Sequence, residues 1–212
     1  MQSQKIYISR YIAAFAITTL IFIIGIYLGN YFSSAKLSTL TKLEQDIKMD
    51  VMGLEIQYLL LSENPCLSVN YTKASEELYN IGTRLEFMES QLGKNDERVL
   101  ELKEFYHLLE LRNWLFLKKA KEECGFDYDL IIYFYSNKGD CDDCAEQGNV
   151  LGYIHNKYKD INIFSFDYNI ENPAIETLKF IYNVDSVPTV IINGETYKGF
   201  KKANEIEELL KR

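Results

Sequence analysis

The chain has 212 residues, of which 47% are hydrophobic and 25% are charged, so it has the composition of a folded protein with room for one full domain and a smaller one. Its net charge of −8 argues against nucleic-acid binding, because proteins of that class carry a basic surface that neutralises phosphates. All four cysteines lie beyond residue 60. In an oxidising compartment they would pair as disulfides, whereas in the cytosol they would indicate a metal site or a catalytic site.

The first predicted element is a membrane-spanning helix over residues 11–32, a stretch without a charged residue. About twenty apolar residues at about 1.5 Å each cross the roughly 30 Å hydrocarbon core of a bilayer. Aromatic residues cluster towards its ends, as they do at membrane interfaces: Tyr11, Tyr27, Tyr31 and Phe32. A cleaved secretory signal ending at Ser33-Ser34-Ala35 is the alternative, but the apolar stretch exceeds the roughly 7–15 residues of a signal core. We therefore predict an uncleaved signal anchor, with residues 1–35 as cytoplasmic tip and transmembrane segment.

The charges on either side of this segment predict its orientation. Lys5 and Arg10 precede it without any acidic residue, whereas the lysines that follow it are interleaved with acidic residues. Basic residues directly before a first hydrophobic segment favour a cytoplasmic amino terminus. We therefore predict a single-pass protein of the cell membrane whose carboxy-terminal domains are extracytoplasmic.

Residues 36–125 are predicted to form a stalk domain of three helices. Residues 37–62 and 71–92 have apolar residues at steps of three and four, the period of an amphipathic helix, and a third helix with a wider apolar arc is predicted from a cap at Asn95 or Asp96 to about residue 123. The predicted boundaries are residues that stop or cap helices: Asn64-Pro65, Gly93, Asn95 or Asp96, and Gly125. His107, in the third helix, is predicted to be a partly exposed surface residue. Heptad-like spacing could also serve dimerisation, so the oligomeric state stays open.

Two cysteines flank this predicted bundle, Cys66 after its first helix and Cys124 at the end of its third. Short connections make consecutive helices antiparallel, so the far ends of the first and third helices should lie together. We predict a structural disulfide between Cys66 and Cys124, which would close a loop of about sixty residues and stabilise the folded state by about 4 kcal/mol. The alternatives are two unrelated buried thiols, or a pair that exchanges electrons with Cys141 and Cys144.

The hydrophobic pattern changes in the predicted second domain, residues 126–212. Residues 129–135 are a continuous apolar run of the kind that is buried in a parallel sheet, and the motif Cys141-Asp142-Asp143-Cys144 follows and opens a helix. The later segments complete the order β-α-β-α-β-β-α. They are a strand over 161–167, a helix from Asn172-Pro173 to about Tyr182, a hairpin of 188–192 and 196–199 around Asn193-Gly194, and a helix over 203–211.

The motifs of this region resemble those of the thioredoxin family. A CxxC alone could be half of a zinc site, but this one lies between a strand and a helix, and Val187-Pro188-Thr189 opens a later strand. The resemblance covers residues 126–212 and implies an α/β thioredoxin-like fold. It also implies that the Val187–Pro188 peptide bond is cis, and that Val187, Pro188 and Thr189 lie beside the dithiol and bind an incoming substrate strand.

The same resemblance implies thiol–disulfide exchange at the CxxC. A helix amino terminus offers partial positive charge and free N–H groups that stabilise a thiolate. Cys141 is expected to be the attacking thiol, and Cys144 the resolving thiol that frees the product from a mixed disulfide. Asp142 and Asp143 should each disfavour a thiolate about 7 Å away by roughly 0.8 kcal/mol at an effective dielectric of about 60, which Lys138 partly offsets. We therefore predict a reductase- or isomerase-like reduction potential.

Two departures from the family pattern limit what the resemblance carries over. Asp140 takes the place of the aromatic residue that usually precedes the first cysteine. Tyr133 stands roughly where many thioredoxins have a buried acid, so proton transfer by that acid is not carried over. Tyr135 could shield the dithiol or belong to the core.

The leading hypothesis is therefore a membrane-anchored, extracytoplasmic thiol–disulfide oxidoreductase. Its partners would be protein thiols and disulfides, together with a membrane redox protein that recycles the CxxC. A non-enzymatic thioredoxin-fold scaffold that binds a membrane partner through its stalk is the alternative. A metal-binding protein is less favoured, because a zinc site needs two further ligands and His155, Cys66 and Cys124 lack ligand spacing near the CxxC. No cofactor or metal site is predicted.

Overall fold

The structure is a computed structural model that describes the backbone of residues 8–66 and 71–211. Lys5, on which the predicted orientation partly depends, lies outside the described residues, as do the side chains of residues 8–9, 33–35 and 71–74. The described helices are α1 (Ile8–Glu63), α2 (Tyr71–Leu92), α3 (Glu97–Cys124), α4 (Cys144–Lys157), α5 (Pro173–Ile181) and α6 (Ala203–Leu209). The described strands are β1 (Asp129–Tyr135), β2 (Ile161–Asp167), β3 (Thr189–Ile192) and β4 (Glu195–Lys198). The chain is a mixed α/β protein, and its elements follow the predicted order.

Compactness divides the chain into two units, Met1–Gln45 and Asp46–Arg212. The helix α1 covers both the predicted transmembrane segment and the predicted first stalk helix, since no proline or glycine interrupts residues 31–52. In the first unit, α1 is long and apolar enough to cross a membrane, and the side chains of its apolar part are exposed. Thr18 and Thr19 donate their hydroxyls to backbone carbonyls of the same helix, so these polar groups are satisfied within it.

In the second unit, the carboxy-terminal part of α1 (residues 46–63) runs parallel to α3 and antiparallel to α2. The alignment with α3 is fixed by Lys48–Glu101 at 3.2 Å and Arg112–Glu55 at 2.6 Å. Arg84 of α2 pairs with Asp50 of α1. The three helices share a buried apolar core that includes Ile47, Leu54, Tyr58, Ile81, Met88, Leu102 and Leu117. The apolar periodicity therefore predicts these helices and their inward faces well.

The four strands form one sheet in the order β2-β1-β3-β4. Strands β1 and β2 are parallel, with Tyr135 opposite Asp167, whereas β3 is antiparallel to both β1 and β4. Asn193 (φ 49°) and Gly194 (φ 95°) both adopt positive φ between β3 and β4, as the predicted type I′ turn requires. The core on one sheet face brings together residues of β1, β3, α4 and α6, including Ile131, Val190, Leu151 and Ile206.

The helix α3 packs against β2 and α5, so α3 and the sheet belong to the same compact unit. The predicted boundary between stalk and sheet domains, at residues 125–126, lies in the connection between α3 and β1. Gly125 adopts φ 70° there and its N–H bonds to the carbonyl of Lys121, which ends α3 where the sequence predicts. Strand β2 lies at the edge of the sheet, and α3 covers that edge.

Candidate active site

Cys141 and Cys144 are joined by a disulfide at the amino end of α4. Cys144 is the first helical residue and is only 6% exposed. Cys141 lies in the turn before it and is half-buried. The first intrahelical bond runs from the N–H of Gln147 to the carbonyl of Asp143 at 2.9 Å, so the dithiol sits at the helix terminus, where backbone N–H groups are free. Cys141 is therefore the more accessible of the two cysteines.

The loop between β1 and the dithiol is organised around one buried hydroxyl, that of Ser136. Its Oγ accepts from the N–H of Lys138 at 3.2 Å and from Nδ2 of Asn169 at 2.6 Å. It donates to the carboxylate of Asp140, the residue that precedes Cys141. Gly139 adopts φ 80°, a conformation that side chains rarely tolerate, so glycine suits this tight loop.

Two further residues hold α4 in place through hydrogen bonds, one to β1 and one to the segment before α6. Tyr133 on β1 donates its hydroxyl to the carbonyl of Cys144 at 2.5 Å, and burial raises the pKa of Tyr133 to about 12. Gln147, fully buried, accepts from the N–H of Lys201 at 2.7 Å and donates to the Lys201 carbonyl at 3.3 Å. Tyr133 therefore stays protonated at neutral pH and holds α4 rather than accepting a proton. Sequence reasoning missed Gln147, because a lone polar residue in a helix carries no signal.

The segment before β3 reaches the same edge of the sheet as the dithiol loop. Thr189 lies opposite Phe134 in the antiparallel pairing of β3 with β1, so β3 begins where β1 ends. The Val187–Pro188 peptide bond is cis. Pro188 is buried and Val187 is half-buried, while the buried Thr189 donates its hydroxyl to the carbonyl of Ser186 at 2.7 Å. The predicted substrate-binding residues and the predicted catalytic cysteines are thus close in the topology.

The residues predicted to tune the dithiol are all on the surface. Asp142, Asp143 and Lys138 are exposed, and Asp143 is the N-cap of α4 without a side-chain capping bond. Since water surrounds these charges, their effect on Cys141 would weaken with salt.

His107 is buried, so its predicted surface position is wrong: it is only 2% exposed. Its Nε2 accepts from the backbone N–H of Asp167 at 3.4 Å, and its Nδ1 lies 3.1 Å from Oε2 of Glu110. Oε1 of Glu110 accepts from the N–H of Ser165 at 3.3 Å. Because Nε2 accepts, the neutral ring carries its proton on Nδ1 and donates it to Glu110.

These bonds satisfy the outer edge of β2, which has a sheet neighbour on one side only. Ser165 and Asp167 direct their N–H groups away from β1, and α3 supplies the acceptors with His107 and Glu110. His155 of α4 contacts the carbonyl of Ile161 on the same strand at 2.9 Å. Side chains thereby replace the backbone partners that an edge strand lacks. These backbone groups are then not available to pair with a strand of another chain.

A second buried group lies beside His107. Lys103 of α3 is 6% exposed and lies 3.1 Å from Oε2 of Glu89 and 3.9 Å from Oδ2 of Asp167. Burial raises the pKa of Glu110, and burial together with the charge of Asp167 raises the pKa of Tyr135. The rings of Tyr135 and His107 are 6.5 Å apart, so Tyr135 faces this polar cluster.

The other disulfide joins Cys66 and Cys124, at the ends of α1 and α3. Cys66 is exposed and Cys124 is half-buried. Cys124 precedes β1 whereas the CxxC follows it, and a seven-residue strand spans about 20 Å. The two disulfides therefore flank opposite ends of β1, and exchange between them would require their sulfurs to come into contact.

Within residues 8–66 and 71–211, no three side chains of His, Cys, Asp or Glu are grouped so that they could hold a metal ion. Comparison with protein-family models finds no family that matches the chain. A search of curated proteins finds no similar sequence. The chain is thus defined by its own features: a mixed α/β protein with a four-stranded sheet, a long apolar amino-terminal helix and a disulfide-bonded CxxC.

Proposed function

We propose that this protein is a membrane-anchored thiol–disulfide oxidoreductase that exchanges disulfides with extracytoplasmic proteins through Cys141 and Cys144. The observation that carries the proposal is the asymmetry of the pair: Cys141 is accessible and Cys144 is buried at the amino end of α4. Exchange needs one sulfur that meets the substrate and a second that stays out of reach until the first has reacted. A purely structural disulfide has no need of this arrangement.

A thioredoxin-like fold for residues 126–212 is part of the proposal. Its support is the sheet order β2-β1-β3-β4, in which β1 and β2 are parallel and β3 is antiparallel to both β1 and β4, together with helices α4 and α5 between the strands. The resemblance in the CxxC and in Val187-Pro188-Thr189 points to the same family. Function is argued from the site, since a fold alone does not define an activity.

The reaction follows from the order in which the two sulfurs react. The Cys141 thiolate attacks one sulfur of a substrate disulfide, forming a mixed disulfide and releasing one substrate thiolate, which takes up a proton. The Cys144 thiolate then attacks Sγ of Cys141, closes the intramolecular disulfide and releases the second substrate thiol. The substrate gains two electrons and two protons, and the CxxC is oxidised by the same amount.

The chain must be returned to its dithiol form after each reductive turnover. A membrane redox protein with a dithiol of its own would supply the two electrons. Isomerisation needs no such supply, because the mixed disulfide can be resolved by another thiol of the same substrate. The exposed Asp142 and Asp143 favour these reducing roles over disulfide donation.

Two features support a position outside the cytoplasm. The amino-terminal part of α1 has the length and apolarity of a membrane anchor. The described residues also contain two disulfides, a pairing that oxidising compartments preserve and the cytosol does not.

Insulin reduction by the full chain in detergent, with dithiothreitol as electron donor, tests the proposal. The wild type should accelerate insulin precipitation, and the double variant Cys141→Ser/Cys144→Ser should not. The matched control is Cys66→Ser/Cys124→Ser, which also loses one disulfide but keeps the CxxC and should stay active. Equal rates for wild type and the CxxC variant would reject the enzyme and favour a non-enzymatic scaffold.

A further inference from the structure

A continuous series of polar contacts links the helices α2 and α3 to the loop that carries the dithiol. It begins at Lys103, which is buried between Glu89 at 3.1 Å and Asp167 at 3.9 Å. Burying an unpaired ammonium group costs much desolvation free energy, about as much as burying an unpaired carboxylate, so the ammonium group and the two carboxylates fix one another's positions. Asp167 is the last residue of β2 and is itself only 6% exposed.

Asp167 connects Lys103 to the loop over residues 136–140 through the side chains of two asparagines. Its Oδ1 accepts from Nδ2 of Asn169 at 3.1 Å, and its Oδ2 accepts from Nδ2 of Asn137 at 3.4 Å. The same Nδ2 of Asn169 donates to Oγ of Ser136 at 2.6 Å. Ser136 in turn donates to Asp140, whose chain neighbour is Cys141. Asp167, Asn169 and Ser136 each have a partner on both sides, so the loop is tied to the strand β2 and, through Lys103, to α3.

We infer that Ser136, Asn169 and Asp167 are positioning residues of the dithiol, which hold the loop so that Cys141 stays next to Cys144 in both redox states. The inference deepens the proposed function and rests on it. When the reduced loop already has the closed geometry, disulfide formation loses little conformational entropy, so the closed form is favoured. The helix α3 thereby contributes to the redox equilibrium of the dithiol through this series of contacts.

The test is the equilibrium of Cys141 and Cys144 with glutathione at pH 7, measured on the full chain in detergent by alkylation and mass spectrometry. Ser136→Ala and Asn169→Ala should each lower the equilibrium constant for disulfide formation at least about threefold, a tenfold change being about 30 mV. Because both substitutions break one series, the double variant should differ little from the single variants. Ser136→Thr, which keeps the hydroxyl, should restore the wild-type constant. Ser90→Ala on α2 removes an exposed serine hydroxyl as the matched control and should change nothing.

Hydrogen exchange of the Lys138 amide, which donates to Ser136, gives a second readout that does not depend on redox chemistry. Protection in the wild type and its loss in both alanine variants are expected. If Ser136→Thr does not fold, Asn169→Ala decides by the same two readouts.

Three results would overturn the inference. The first is an unchanged glutathione constant in both alanine variants. The second is a lower unfolding temperature with an unchanged constant, which would make the series merely structural. The third is a Lys138 amide that exchanges freely in the wild type. A wild-type disulfide that never equilibrates with glutathione would instead reject the proposed exchange activity, and with it the redox part of the inference.

Discussion

The backbone N–H of Asp167, the last residue of β2, donates to Nε2 of His107 on α3 across 3.4 Å. A helix that precedes the sheet in sequence thus supplies a hydrogen-bond partner to an edge strand, at the residue where the loop from β2 to α5 begins. His107 therefore joins two parts of the chain that sequence patterns assign to separate domains. Replacing His107 should therefore change the free energy of unfolding more than it changes the rate of disulfide exchange.

The substitution His107→Ala should lower the free energy of unfolding by about 2–4 kcal/mol, because it leaves the buried Asp167 N–H and the Glu110 carboxyl each short of a partner. His107→Gln keeps a donor and an acceptor and should cost at least about 1 kcal/mol less. Urea unfolding followed by the fluorescence of Trp114, the single tryptophan, measures both. Equal losses in the two variants would show that packing, and not hydrogen bonding, is what His107 contributes.

Glu110 should make the stability depend on pH. Burial raises its pKa above the ordinary value of 4.5. The folded state therefore binds a proton more tightly than the unfolded state does, so the contribution of Glu110 to stability is fully present below about pH 4.5 and is lost as the pH rises through the folded pKa. Relative to Glu110→Gln, the wild type should lose stability between pH 4 and pH 7 in urea titrations. A wild type that gains stability relative to this variant over the same range would contradict the assignment.

The disulfide between Cys66 and Cys124 should matter for stability alone. It closes a loop of 58 residues, which corresponds to about 4 kcal/mol on the chain-entropy model. The variant Cys66→Ser/Cys124→Ser should lose up to that amount of unfolding free energy and keep its rate of insulin reduction in the folded state. A folded variant with a tenfold lower rate would show that this pair takes part in electron transfer.

The acidic residues of the CxxC should hold its reduction potential low. Replacing Asp142 and Asp143 by asparagine removes two exposed charges that disfavour the thiolate, and asparagine remains a good N-cap. The potential, measured against glutathione, should rise by at most about 30 mV, and the difference from the wild type should shrink in about 1 M salt. A fall in potential, or a wild-type value near that of strong periplasmic oxidases, would contradict the tuning.

The strands and helices could be predicted largely from local patterns. The apolar run of β1 and the Asn193-Gly194 turn define their elements through residue type alone, and the lengths of three helices bring Cys66 towards Cys124. The positions of Lys103, His107 and Glu110 could not be predicted in this way. Apolar periodicity identifies the buried face of α3 but ignores polar residues on it, and their partners on β2 become known only once the strand order shows which strand has a free edge.

The same limit applies to the loop before the dithiol. The CxxC motif and Val187-Pro188-Thr189 are visible as motifs, because each is a contiguous run of residues. Ser136 and Asn169 are 33 positions apart, and nothing in either residue type predicts their contact. Hydrogen bonds between common polar residues that are far apart in sequence cannot be predicted from the local sequence around either residue.

The rate at which Cys141 reacts with a disulfide tests the central claim most directly. In Cys144→Ser, Cys141 is unpaired; in Cys124→Ser, the exposed Cys66 is unpaired and serves as the matched thiol. Both variants, as full chains in detergent, are mixed with oxidised glutathione at pH 7, and the glutathione adduct is located by mass spectrometry. The account predicts an adduct on Cys141 that forms at least about tenfold faster than the adduct on Cys66, since only Cys141 lies at a helix amino terminus. An adduct on Cys141 that forms no faster than that on Cys66 would contradict it.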